Sequence, residues 1–205
     1  MNFLEEKNIS GHLQIVKVYK SGEEEVLLDD SNIIVSGMGA GLSLLFAANY
    51  GLGTNTIGRF QIGKFQVGLS GPPAGGVTSS IQELSGPLTS ISEYGLGSNL
   101  VLEDLVPLGV PGLTSLGSQT FARIPASKIT RIGESSVRYT LVLDEEACNG
   151  ITRGGNDAPI NEIGLFMNNP LGSSPEQPIL VAYRTFSDIY KTSDFSLIFR
   201  WTINF

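Results

Sequence analysis

The closing stretch, Phe195 to Phe205, constrains the fold more than any other part of the chain. Phe195, Leu197, Phe199, Trp201, Ile203 and Phe205 occupy every second position, with Ser196, Ile198, Arg200, Thr202 and Asn204 between them. A period of two sends alternate side chains to opposite faces of an extended strand, so one face is uniformly large and apolar. A strand of that kind needs a facing layer of comparable size to cover it. The expected fold is therefore mainly β, an antiparallel sandwich of jelly-roll-like layering, with Phe195, Leu197, Phe199, Trp201 and Ile203 as its structural core.

Composition agrees. The chain of 205 residues is long enough for one domain, and 25 glycines and 10 prolines punctuate short runs rich in Val, Ile, Phe, Tyr and Thr. Cys148 is the only cysteine, so an internal disulfide is excluded. Residues 1–205 read as a single domain. His12 to Tyr19 and Val26 to Leu28 form a hairpin, Asp29 to Asn32 a polar turn, and Ile33 to Val35 a third short strand. Gly37 to Gly41 read as a tight turn into a helix over Leu42 to Ala48. Further strands are expected at 59–69, Ser136 to Leu143, Ile160 to Met167 and Ile179 to Phe186.

The middle differs from both ends. From Phe65 to Ala122 there is no Lys or Arg, and Gly, Pro and Ser are frequent while Leu, Ile and Val recur. Such a stretch is too apolar for a solvated linker. It reads as a low-charge insertion, 65–122, serving as a docking arm on a neighbouring subunit. The alternative is a long surface loop with a small helix near Ser79 to Leu84.

Charge and ligand inventory exclude several function classes. Thirteen basic against twenty acidic residues give a net charge of −7, the wrong sign for binding a phosphate backbone. One histidine and one cysteine cannot supply the usual zinc, haem or iron–sulfur ligand sets. No cofactor, metal or catalytic residue is expected. The opening residues do not read as a secretory signal, and no apolar run approaches a membrane span. Gly37, Gly39 and Gly41 miss the dinucleotide-binding spacing by one position. Ser70, in Gly68-Leu69-Ser70-Gly71-Pro72, lacks the preceding acid and a suitably spaced base for a serine nucleophile. Asp144, Glu145 and Glu146 read as a solvated strand end, and Glu23 to Glu25 with Asp29 and Asp30 as charges that guard a sheet edge. Cys148 sits beside acids that disfavour its thiolate.

Glu162 stands in an otherwise apolar strand. Pointing inward it must be paired, because an uncompensated buried carboxylate costs several kcal/mol. Arg200 and Arg184 are the available cations, and a structural ion pair of Glu162 with Arg200 is the leading expectation. Solvent exposure is the alternative.

Asn161-Glu162-Ile163-Gly164-Leu165-Phe166, then Leu180-Val181-Ala182-Tyr183-Arg184-Thr185-Phe186, Lys191 and Arg200-Trp201-Thr202-Ile203-Asn204-Phe205 together resemble a pattern in tailed-bacteriophage structural proteins. Tail-fibre, collar and baseplate proteins share such a run, and Gly22 to Gly37 resembles the start of such chains. The resemblance covers the two ends and leaves the middle unmatched. It implies a non-enzymatic virion component made in the host cytoplasm, assembling as a homo-oligomer with other tail, baseplate or fibre proteins and without nucleic acid or membrane. Because the chain stops directly after the module, a baseplate or tail-fibre adaptor forming a symmetric ring is expected. A neck or collar protein, or a carbohydrate-binding adhesin sandwich, is the alternative.

Overall fold

The computed structural model describes residues 9–46, 61–73, 76–104, 120–168 and 178–205. They form a mainly β structure whose principal feature is a curled antiparallel sheet. β1 (Ser10–Tyr19) and β2 (Glu24–Ile34) form a hairpin closed by a turn containing Gly22, whose positive φ of 87° suits glycine. α1 (Ser36–Phe46) follows, then β3 (Ile62–Gly68), a single-turn α2 (Ile91–Tyr94), β4 (Leu102–Asp104), β5 (Thr120–Arg123) and β6 (Ile129–Arg131). β7 (Ser136–Leu143), a small separate hairpin of β8 (Thr152–Arg153) and β9 (Asn156–Asp157), β10 (Ile160–Met167), β11 (Ile179–Ile189) and β12 (Phe195–Asn204) complete the chain.

Ten strands lie in the order β4-β5-β3-β10-β11-β2-β1-β12-β7-β6. One end, β2-β1-β12-β7-β6, is pinned by long registers such as Leu13↔Trp201 and Trp201↔Tyr139. The other end, β4-β5-β3-β10-β11, is held by Ile163↔Val67 and Gly164↔Tyr183. The two ends meet at a short seam, Ile33↔Tyr183 and Ile34↔Ala182. The curl brings inner faces together, so that Phe65 on β3 lies with its ring centroid 6.1 Å from that of Trp201 on β12. Phe195, Leu197, Phe199, Trp201 and Ile203 all point into this core and are buried. Phe205 does not continue the row; it lies beyond the end of β12 and is half exposed.

Three local expectations are corrected. Asp29 to Asn32 make no turn: they continue β2, where Gln14 Nε2 donates to Asp29 Oδ2 at 2.8 Å and Arg184 engages Asp30. Cross-strand partners satisfy the polar side chains that suggested a loop. The glycines at 37–41 lie inside α1 and do not form an entry turn. A Cβ at Gly37 would run into the backbone carbonyl of Leu180, and one at Gly41 into Met167, so their smallness lets the helix sit directly on β11 and β10. The last residues of the expected helix, 47 and 48, and the first of the expected strand, 59 and 60, lie outside the described residues. No helix forms over Ser79 to Leu84; the single helical turn in that region is α2.

The low-charge stretch contributes to the core of its own chain. Phe65 and Val67 belong to β3, a strand with neighbours on both sides, and Leu69, Leu88 and Tyr94 join the main core. Leu84 packs with Val35, Phe121, Phe166, Leu180 and Tyr183 in a second cluster, with Val77 and Ile81 against it. The stretch from Val77 to Gly86 thus covers the outer face of β10 and β11, burying that part of the sheet on both sides, while Leu88 and Tyr94 turn into the main core. Residues 105–119 of the proposed arm lie outside the described residues.

Candidate functional site

Among the described residues, a buried polar site lies beneath that cover. Glu162 is fully buried on the outer face of β10. Its Oε2 accepts hydrogen bonds from the Tyr183 hydroxyl at 2.6 Å and the Ser85 backbone N–H at 3.0 Å, and its Oε1 accepts from the Gly86 N–H at 2.6 Å. Two successive amides and a phenol surround a carboxylate that would otherwise be too costly to bury. Gly68, directly opposite Glu162 in the register, supplies the room: a Cβ there would come 2.7 Å from the Glu162 Cγ. Gly68 thus marks a close approach between the two strands.

Asn161 extends the clamp. Its Oδ1 accepts from the Gly71 N–H at 2.8 Å while its Nδ2 donates to Asp188 at 3.1 Å. The Asn161-Glu162 pair therefore fastens the covering stretch at Gly71 and again at Ser85–Gly86. Further along, Glu93 accepts from the N–H groups of Thr89 and Ser90, at 2.6 and 3.2 Å, and forms an ion pair with Arg153. The buried Tyr94 hydroxyl donates to the Thr120 carbonyl at 2.9 Å. Burial, followed by its bond to Glu162, pushes the Tyr183 hydroxyl pKa well above the ordinary tyrosine range.

The expected ion pair of Glu162 with Arg200 does not form. Arg200 lies on the outer face of β12, across β11, β2 and β1 from Glu162, and its Nη1 donates to Gln14 Oε1 at 2.8 Å. Arg184, the other candidate, turns to β2, donating to the Ser31 carbonyl and to Asp30 Oδ2, both at 2.7 Å. The Ser31 amide, then the Arg184 charge, hold the Asp30 pKa below the usual carboxylate range. Backbone amides can displace an arginine here because they come with the covering loop already attached and bury no second charge.

A second buried polar group is Lys191, in the turn before β12. Its Nζ donates to Asn149 Oδ1 at 3.0 Å and to the Thr192 carbonyl at 2.8 Å, and lies 5.1 Å from the Phe195 ring centroid. Desolvation lowers its pKa despite the acids around it. Cys148, buried nearby with a positive φ of 58°, has its thiol pushed up to about 12, by burial first and by Asp144 in lesser part. The acids at the end of β7 are structural: Asp144 Oδ2 accepts from both the N–H and the Nδ2 of Asn99, and Glu145 from the Ser196 hydroxyl.

Among the described residues no three of His, Cys, Asp or Glu gather where a metal ion could be held. No described helix is long and apolar enough to cross a membrane. Glu162 is fully buried and held by three hydrogen bonds, two of them from the covering loop, so the arrangement around it ties that loop to β10. The partners Tyr183, Ser85 and Gly86 were not foreseen, and the one signal for them was the unexplained acid itself. Comparison with family models, curated proteins and solved structures gave no match.

Proposed function

We propose that this chain is a non-enzymatic structural component of a bacteriophage tail, a baseplate or tail-fibre adaptor that assembles into a symmetric ring. The observation that carries the reading is where the tail-protein-like segments lie. Asn161–Phe166, Leu180–Phe186 and Arg200–Ile203 fall on β10, β11 and β12, and their polar members hold loops and seams rather than line an open pocket. A module whose most distinctive residues serve only packing suits a part that assembles. The two ends of the curled sheet, facing each other across Phe65 and Trp201, read as the layers of a jelly-roll-like sandwich, with first and last strands paired in one layer.

Apolar side chains left outside favour assembly. Ile91, Leu96 and Val101, all in the low-charge stretch, are 43%, 83% and 50% exposed. Exposed apolar side chains in a stretch with so few charges suit a subunit interface. Sedimentation of the full chain is expected to show a closed oligomer that Leu96→Lys dissociates, and its gene is expected to lie among tail genes. A monomer at high concentration from a gene without such neighbours would overturn the reading.

A further inference from the structure

The seam between β2 and β11 opens on one side. After Ile33↔Tyr183 the backbone ladder stops, and the Arg184 guanidinium takes its place on the Ser31 carbonyl. Beyond it the strands part. Among the described residues the first part of β2 keeps only β1 as a neighbour, and the last part of β11 keeps only β10. The Ser31 carbonyl faces the seam, so the alternation of an antiparallel strand puts the Asp29 N–H and C=O on the same free edge. Between the parted strands lies a cleft of about 240 Å³, lined by Leu27, Leu28, Phe186, Ile189, Tyr190 and Lys17, among others. Tyr190, in its lining, is 57% exposed.

We propose that this cleft binds an extended segment of a partner protein in which lysine or arginine alternates with aliphatic residues, added as a strand to the free edge of β2. An unpaired edge offers main-chain hydrogen bonds and the cleft offers a place for one or two aliphatic side chains. Charge selects the partner. Glu25 and Asp188 line the opening, and Glu24 and Asp29, the latter paired with His12, lie on the same edge strand, β2. The cations nearby are already engaged: Lys17 lies 3.9 Å from Glu25 and over the rings of Tyr19 and Phe195, and Arg184 is held by Asp30. Acids along an exposed edge repel an acidic strand and favour a basic one. The cleft lining includes none of Ile91, Leu96 and Val101, and the inference does not depend on the virion reading.

The test uses the full chain, isotope-labelled, and an end-capped seven-residue peptide of alternating lysine and valine. Two control peptides carry N-methyl groups on alternate amides or glutamate in place of lysine. Saturable shifts at residues 24–31 and 186–190, with slowed exchange of the Asp29 amide, are expected for the lysine peptide. Affinity should fall about tenfold or more on N-methylation, which removes strand pairing but keeps the charge, and several-fold in high salt. Leu27→Lys, at a partly exposed position, should abolish the shifts while leaving the circular dichroism unchanged. Equal binding of the N-methylated or glutamate peptide, no binding at millimolar peptide, or protection of the same amides by self-association alone would each overturn the proposal.

Discussion

The two ends of the sheet bury their strands differently. In β12 burial alternates without exception, and its polar face meets solvent through cross-strand pairs such as Arg200 with Gln14 and Asn204 with Ser136. β3 and β10 are buried at almost every position because the core covers one face and the stretch from Val77 to Gly86 covers the other. A strand wet on one side writes its orientation into its sequence; a strand covered on both reads as a continuous apolar run. Polar residues in the second kind, such as Glu162, then depend on partners from distant parts of the chain. The first end is stabilised by area, the second by area plus a few buried hydrogen bonds.

The largest expected effect is at the first end. Trp201→Ala removes a fully buried indole that packs on Phe65 and should cost about 3–5 kcal/mol in urea unfolding. An unchanged midpoint would mean that the alternating strand is not the main source of stability.

At the second end the clamp should show itself as coupling. Gly68→Ala pushes a methyl group into the Glu162 side chain and should cost ~1–3 kcal/mol. Glu162→Ala should cost a similar amount, by leaving the Ser85 and Gly86 amides and the Tyr183 hydroxyl unpaired. Together they should cost less than their sum, because removing the carboxylate makes room for the methyl. Strict additivity in a double-mutant cycle would show that the two residues do not share a site.

The smallest effect is alkaline. The Cys148 thiol rises from an ordinary 9.0 to about 12 in the fold and the Tyr139 hydroxyl from 10.0 to about 12. Both raised values mean the folded chain holds these protons more tightly. Their contribution is present below the ordinary pKa and is lost as pH climbs toward 12. Lys191, with its lowered pKa, adds a slope of opposite sign below its ordinary 10.5. The readout is therefore the difference between parent and Cys148→Ala unfolding free energies, expected to shrink as pH rises from 9 to 12. A pH-independent difference would place the thiol in contact with water.

The sequence by itself determined the strands whose one face meets solvent. β1, β7 and β12 carry their periodicity openly, and the core residues from Phe195 to Ile203 follow from it, because alternation is a local property of neighbouring side chains. It also marked Glu162 as an acid that must find a partner. Only the tertiary structure decided which partner. Arg200 and Glu162 lie on strands separated by the sheet order, while Ser85 and Gly86 reach the carboxylate through the cover that Leu84 anchors. The same holds for Asp29 to Asn32, which look like a turn until His12, Gln14 and Arg184 appear beside them, and for Gly37 and Gly41 of α1, which let the helix approach β11 and β10. Local preference sets which segments extend. Desolvated polar groups and close backbone approaches are satisfied across long sequence separations, and folding alone brings those groups together.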